Sequence, residues 1–297
     1  MVNSEFRESD RKLIGEIDSI IVGLDIGASL AKGIIVDMNL RIKNRHILPV
    51  EKPETTAMRL LEILLRNYRK TVIAIAASGG GSRLIGDVIL SLPVKKVDEI
   101  KAIGLGGLLS ADMREGLVVS AGTGTALVAA YDGGNVIKHV GGTGVGGGTI
   151  MGLSRRILGV NDFETLENMA LKGNINEVDL TVGDIVGGPI GIIPAEATAS
   201  NLGKLTLKSN ENDVAAGILN VVSQTIGVVA AMAAKACHLE NNVILIGMLA
   251  KSKVVSKIIC ETTGLFGVKV FIPENCEFSN ALGAAAAVLK EMDLLHK

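Results

Sequence analysis

Three stretches of this 297-residue chain carry side chains able to do chemistry together. The first is Asp25-Ile26-Gly27-Ala28-Ser29-Leu30-Ala31-Lys32, where a carboxylate and an ammonium bracket a turn of small residues. Small side chains let a ligand approach the backbone, and N–H groups, a hydroxyl and a lysine gathered there suit a phosphate chain. Asp25 is placed to hold Mg²⁺ directly or through water. The same residues also make a tight hairpin steadied by an Asp turn, and by themselves they leave both readings open. The second stretch is Gly141–Thr149, GGTGVGGGT, running into a helical pattern. Free N–H groups and the dipole at a helix start favour an anion there over a passive linker. The third is Asp98-Glu99 at the start of another predicted helix. An acidic pair in that place either complements the helix dipole or supplies a general base for a hydroxyl. Phosphoryl transfer asks mainly for positioning and charge neutralisation, so one carboxylate, Mg²⁺ and N–H donors would suffice. The turn Ser78-Gly79-Gly80-Gly81-Ser82 needs small residues whether or not a ligand comes near.

These groups must be positioned by short, β-branched apolar runs. Ile20–Leu24 and Gly33–Val36 read as buried strands and Arg41–Val50 as a third. A helix is expected from Thr55 to Arg69, capped by Thr55 or Thr56, then a strand at Thr71–Ala77 and a helix through Leu90. A strand at Val94–Val97 leads to a helix from Glu99 to Leu109, capped by Asp98. At Leu117 the pattern restarts, with strands at Leu117–Ala121, Ala126–Tyr131 and Val136–Val140 and a helix to Leu158. Helices at Asp162–Lys172, Asp213–His238, Lys253–Thr262 and Asn280–Leu289 follow, with strands at Val243–Ile246 and Val268–Ile272. Strand–turn–strand–strand–helix thus occurs twice, which predicts two α/β domains of one kind. The expected division is a charged leader over 1–18, a first domain over 19–115 and a second over 116–297. Both hairpin turns are rich in Gly, Thr and Ser, so both could contact one polyphosphate.

Composition narrows the partners. Hydrophobic residues at 48% and charged ones at 21% predict a packed core rather than disorder. Aromatics are only 2%, without Trp, which leaves no stacking platform for nucleic-acid bases, and a net charge of −1 gives no broad pull toward nucleic acid or acidic membrane. Cys237, Cys260 and Cys276 form no CxxC and fit a reducing, cytoplasmic setting. The charged residues in 1–18 argue against a secretory signal, and the most apolar helical run, Ile226–Ala234, reads as too short to span a bilayer. His46, His238 and His296 have no partner at metal-ligand spacing. The Ala-rich runs Val228–Ala236 and Ala281–Val288 predict close helix packing, in the core or, for the first, at a dimer seam.

The segments DIGASLAKGIIVD (Asp25–Asp37), ASGGG (Ala77–Gly81), VDEIKAIGLGGLL (Val97–Leu109) and SAGTGTALVAAYDGGNVIKHVGGTGVGGGTIMGLSRRILG (Ser120–Gly159) resemble those of type II pantothenate kinases, within the actin-like ATPase and sugar-kinase superfamily. FETLENMALKGNINEVDLTVGDIVGG, ATASNLGK and the closing IGML and NALGAAAAVL continue the resemblance. It implies duplicated ribonuclease-H-like domains facing across a nucleotide cleft, ATP and Mg²⁺ as cofactors, pantothenate as acceptor, and a cytoplasmic homodimer. It implies an ATP phosphate loop at Asp25, Ile26, Gly27, Ala28, Ser29, Leu30, Ala31 and Lys32, with nucleotide contacts at Thr123, Gly147, Gly148, Thr149, Gly247 and Met248. It also implies Glu99 as the catalytic base and Thr125 and His139 as acceptor-binding residues. Ala28 stands where a second Gly is usual in the family, and His139 where many members carry Arg beside the pantothenate. An imidazole is a poorer carboxylate partner than a guanidinium fork. Two alternatives stand beside this: a kinase of the same fold acting on a sugar or another pantoyl compound, and an ATP-driven activator protein. Activators of that kind use cysteines bridging a dimer through an iron–sulfur cluster, and the three cysteines here lack such a spacing.

Overall fold

The β-branched run at Ser19 forms β1 (Ser19–Ile26), every residue of it buried, and turns back into β2 (Leu30–Asp37) and β3 (Ile42–Pro49). The computed structural model describes residues 19–66, 68, 71–191, 193–292 and 294. The charged leader over 1–18 and His296 lie outside the described residues. After α1 (Pro53–Leu65) come β4 (Thr71–Ser78), β5 (Val88–Ile89), β6 (Leu92–Lys96) and α2 (Glu99–Ala111). The sheet runs β3-β2-β1-β4-β6-β5, with β1, β4 and β6 parallel. Because strand side chains alternate, Ile20, Val22 and Leu24 join Leu60, Leu61 and Leu64 of α1 in one buried cluster. On the other face, Gly23 of β1 leaves room for the Ala281 carbonyl of the chain's last helix, Ser279–Glu291. That helix meets α2 backbone to backbone: a Cβ on Gly283 would collide with the Ala102 carbonyl, and one on Gly106 with the Ser279 carbonyl. Ser110 Oγ and Ser279 Oγ close the contact at 2.8 Å.

Two features of this half depart from the sequence reading. The chain divides into one unit through Met113 that also takes in Phe278 onward, and a second over Arg114–Glu277. The last helix thus packs within the first unit, whereas the sequence reading grouped it with the residues after 115. The helix expected through Leu90 is instead a short 3₁₀ turn, Gly80–Leu84, followed by the β5–β6 hairpin. Ile85 and Ile89 are buried while Leu84, Val88 and Leu90 stay exposed, so the apolar residues serve a turn and a strand rather than a helix face. Pro53 opens α1 within its first turn, where a missing N–H costs nothing.

The second unit repeats the plan. β7 (Gly116–Ala121), β8 (Thr125–Tyr131) and β9 (Val136–Thr143) form an antiparallel meander leading into α3 (Gly147–Leu158) and α4 (Phe163–Ala170). A two-stranded ribbon, β10 (Leu180–Thr181) with β11 (Thr198–Ser200), flanks the one-turn α5 (Val182–Val186). Then follow α6 (Glu211–Cys237), β12 (Val243–Ile246), α7 (Lys253–Gly264), β13 (Val270–Phe271) and, back in the first unit, α8 (Ser279–Glu291). The order β13-β12-β7-β8-β9, with β12 and β13 parallel to β7, matches β6-β4-β1-β2-β3 strand for strand. The duplicated ribonuclease-H-like α/β fold is thus present in both halves. The buried Asp179 carboxylate ties the ribbon to α6, accepting from Leu202 N at 2.7 Å and Asn220 Nδ2 at 2.7 Å. By length and composition α6 could cross a membrane, which corrects the expectation that the apolar run is too short. In its most apolar window 72% is buried inside the protein, and it packs on α4, α7 and the sheet as a core helix.

Two glycines separate packing from propensity. Gly283→Ala should destabilise the protein by about 1–3 kcal/mol, because the added methyl has to displace backbone. Gly152→Ala, in α3 with nothing within 4 Å of the new Cβ, should stabilise by roughly 0.5–1 kcal/mol. Urea unfolding of the two variants checks this; equal shifts would mean that the α2–α8 contact is looser than described.

Candidate active site

Three neighbouring parallel strands of the first unit end in polar residues at one edge, where ligands bind in open α/β sheets. Asp25 near the end of β1 lies in register with Ser78, the last residue of β4, and with Lys32 on β2. Lateral neighbours in a sheet share a face, so Lys32, Asp25 and Ser78 form a row. Lys32 Nζ donates to Asp25 Oδ2 at 3.0 Å, with side-chain exposures of only 9% and 5%. Gly79 follows with φ +83°; a Cβ there would lie 2.7 Å from Asp25 Oδ1 and 2.5 Å from the Ile26 carbonyl oxygen. Only glycine allows that turn away from the row at such close range.

One strand further, β6 delivers the chain to α2. Asp98 caps this helix by accepting from Lys101 N at 3.0 Å, which leaves Glu99 as the first helical residue. Glu99 is exposed. Desolvation by the surrounding protein, then the negative charges of Asp25 and Asp98, push its carboxyl above the usual value, against the pull of Lys32 and Arg83. The structure therefore brings Glu99, Asp25 and Lys32 within electrostatic reach of one another, as a base beside a phosphate or metal site requires. Arg83 was not singled out by sequence reasoning, although it sits directly after the glycines of ASGGGSR.

The eight residues expected to form a phosphate loop differ in their surroundings. Gly27 N donates to Leu30 O at 3.1 Å, leaving Ala28 and Ser29 exposed at the tip. Ile26 and Ala31 have fully buried side chains within the apolar cluster, so those side chains face the core rather than a ligand. Leu30 begins β2. Ala28 is not among the described residues with positive φ, so its Cβ brings no backbone strain.

In the second unit, Thr123, Gly147–Thr149 and Gly247–Met248 do converge, at the carboxyl edge of β7 and β12. The reason differs from the one expected. Gly147 N donates to Gly122 O at 2.8 Å and Gly148 N to Thr123 O at 2.9 Å, so these helix-start N–H groups are spent on the hairpin turn rather than free for an anion. A Cβ on Gly146 would lie 2.6 Å from Thr123 O, so the glycine run lets the α3 start dock against the turn. Thr149 Oγ1 accepts from Gly146 N at 3.3 Å. Gly247 follows β12, its N–H donating to Cys276 O at 3.0 Å, and Leu249 lies near Gly147. At this edge Thr123 is exposed and α3 presents its positive end. The two expected acceptor residues are not brought together. Thr125 is buried and its hydroxyl donates to Val145 O at 2.9 Å, whereas His139 is exposed on β9 opposite Val128, three residues along β8.

A family model described as Fumble matches residues 110–269. A type II pantothenate kinase of Staphylococcus haemolyticus (strain JCSC1435) is 30% identical over 271 residues, covering 89% of this chain and 98% of that protein. One of Bacillus cereus (strain G9842) is 32% identical over 189 residues, covering 62% of this chain; the match spans 66% of the relative's length. Among solved structures, the activator of the 2-hydroxyisocaproyl-CoA dehydratase from Clostridium difficile, with bound ADPNP, superposes with a TM-score of 0.66 at 17% identity, over 92% of this chain and 96% of that one. A ROK-family glucokinase from Streptomyces griseus, in complex with glucose and AMPPNP, gives 0.58 at 13% identity, over 90% and 98%. These likenesses bear on the fold alone.

Docking of α3 onto the hairpin turn is open to a direct test. Gly146→Ala should lower stability by about 1–3 kcal/mol and weaken ATP binding at this edge. Gly144→Ala, whose Cβ would meet nothing within 4 Å, should leave both unchanged. Calorimetric titration with ATP alongside thermal melting decides it; wild-type ATP affinity in Gly146→Ala would remove this junction from the nucleotide site.

Proposed function

Since the chain belongs to the Fumble family, with the type II pantothenate kinases as relatives, we propose that it transfers the γ-phosphoryl group of ATP to the hydroxyl of pantothenate, opening coenzyme A biosynthesis. The observation that carries this reading is Glu99, a carboxylate with raised proton affinity beside Asp25 and Lys32. Glu99 takes the proton of the acceptor hydroxyl as it attacks phosphorus, and a carboxyl tuned upward is better matched to that task near neutral pH. Lys32 and Arg83 supply positive charge for the phosphate being transferred. In the second unit, Thr123 and the start of α3 are the groups proposed for the nucleotide.

Magnesium fits the donors present. Asp25 offers hard carboxylate oxygens, and no group of three or more His, Cys, Asp or Glu gathers among the described residues. Mg²⁺ bound to nucleotides typically takes one or two carboxylates and completes its shell with water and phosphate oxygens. In that role it neutralises charge on the phosphates. The protein acts as a cytoplasmic homodimer in this reading. Cys276, buried beside Glu277, has its thiol pushed up to about 11, so it stays protonated and takes no part.

Glu99→Gln keeps the shape of the side chain and removes the base. Turnover of pantothenate should fall about 10²–10⁴-fold with ATP binding intact. Because the folded-state pKa of Glu99 is raised, its favourable contribution is present below the ordinary carboxylate value and is lost as pH rises through the folded value. Glutamine, which does not ionise, should therefore melt no lower than wild type at neutral pH. For the wild type, kcat should decline as pH falls through the raised Glu99 value, and that acid limb should vanish in Glu99→Gln. Coupled ATP-consumption assays over pantothenate, pantetheine and hexoses measure this, and wild-type turnover by the glutamine variant would dismiss Glu99 as the base. A second measurement concerns His139. If it meets the acceptor's carboxylate, His139→Arg should lower KM for pantothenate; an unchanged KM in a stable variant takes it out of the acceptor site.

A further inference from the structure

Ser78 closes β4 and is 1% exposed, and its hydroxyl oxygen is buried without a hydrogen-bond partner. A polar atom in that condition costs stability and signals a partner met in another state of the protein. Because the oxygen is sealed from solvent, the partner has to come from the side chains next to it. Along the β4–β6 register, in which Ala77 faces Lys96, the neighbour on one side of Ser78 is Val97, which has no side-chain acceptor. On the other side is Asp25, in register and on the same face. In the structure Asp25 Oδ2 is occupied by Lys32 at 3.0 Å.

We propose that Ser78 is a positioning residue for the Asp25 carboxylate: when a divalent cation and a nucleotide polyphosphate arrive, Lys32 turns to the phosphates, and the Ser78 hydroxyl donates to the carboxylate oxygen that Lys32 releases. The other oxygen is then fixed for the cation or its water. The inference rests on the phosphoryl-transfer reading of this site. It accounts for a hydroxyl at a place where alanine would fill the same space with no orphaned atom. It also accounts for Gly79, whose missing side chain leaves the space beside Asp25 Oδ1 open for the carboxylate to turn.

The test uses the full chain, with Mn²⁺ as the cation and AMPPNP as the nucleotide, free Mn²⁺ being read by electron paramagnetic resonance. Ser78→Ala should weaken Mn²⁺ binding in the presence of AMPPNP by roughly tenfold, the range expected for a hydrogen bond to a charged group. AMPPNP binding in EDTA should be unchanged. The melting temperature should be equal to or above that of the wild type, since an unpartnered hydroxyl is removed. Wild-type Mn²⁺ affinity in Ser78→Ala would overturn the proposal, as would a lowered melting temperature accompanied by equal losses with and without metal. If the wild-type protein itself binds no Mn²⁺ with AMPPNP, the phosphoryl-transfer reading fails instead, and this inference with it.

Discussion

The buried ion pair between Lys32 and Asp25 is the constraint around which the first half is arranged. Two charges at the inner end of a hairpin have to be taken out of water, and their attraction at 3.0 Å does little more than offset that desolvation. Two apolar residues of similar size would hold the hairpin as well. Removing one partner alone would be worse than either arrangement, leaving an uncompensated buried charge at a cost of about 3–5 kcal/mol. The pair is therefore poor evidence for a stabilising device and good evidence for a site. Its surroundings are built to keep it in place: β1 is buried along its whole length, α1 covers one face, and α8 lies against Gly23 on the other.

Both halves use one topology, and in each the polar or glycine-rich residues collect where parallel strands end. In the first half these are Asp25, Ser78 and, after β6, Glu99; in the second they are the Gly122–Gly124 turn after β7 and Gly247 after β12. The economy is physical. A parallel strand ends with its carbonyls and the following turn open, so side chains placed there are held by the sheet without disturbing its core. The two halves then differ in chemistry. The first sets charged side chains in a row, and the second sets backbone against backbone at Gly146 and Thr123.

Much of this was legible in the sequence because apolar periodicity reports burial directly. The strand at Val243–Ile246 has the bounds expected of it, and the cap at Asp98 is confirmed by its bond to Lys101 N. The misreadings have definite causes. Residues 80–90 carry apolar side chains at spacings that suit a helix, but Gly86 and Asp87 start a hairpin, and only the sheet beside it decides which of Leu84 to Leu90 go in. The return of the last helix to the first unit depends on Gly106 and Gly283 meeting, a contact between residues 177 positions apart that no local pattern announces. The glycines at Gly147 and Gly148 look from sequence like a cradle for phosphate, yet small residues serve chain-to-chain contact equally well, and here their N–H groups go to Gly122 and Thr123. Ser78 was legible as a turn residue only, since an unpartnered hydroxyl is a property of the folded surroundings.

The same row of charges acts on the proton affinity of Glu99. Glu99 feels Asp25 as a force raising its proton affinity and Lys32 as one lowering it, and these two sources sit 3.0 Å apart. Desolvation is the leading cause of its raised value, and of the two partners Asp25 has the larger effect. In the proposed reaction, a polyphosphate drawing Lys32 away would add negative charge and raise the proton affinity of Glu99, whereas a divalent cation at Asp25 would lower it. In the proposed reaction, then, the proton affinity of Glu99 depends on what occupies the neighbouring positions. The base is strongest when phosphate is present and its charge is incompletely matched, and it falls as the cation takes up that charge. Holding Glu99 on the helix after β6, with only the β4 strand separating it from Asp25, makes this coupling possible: near enough for the fields to act, and on separate strands so that neither carboxylate can replace the other.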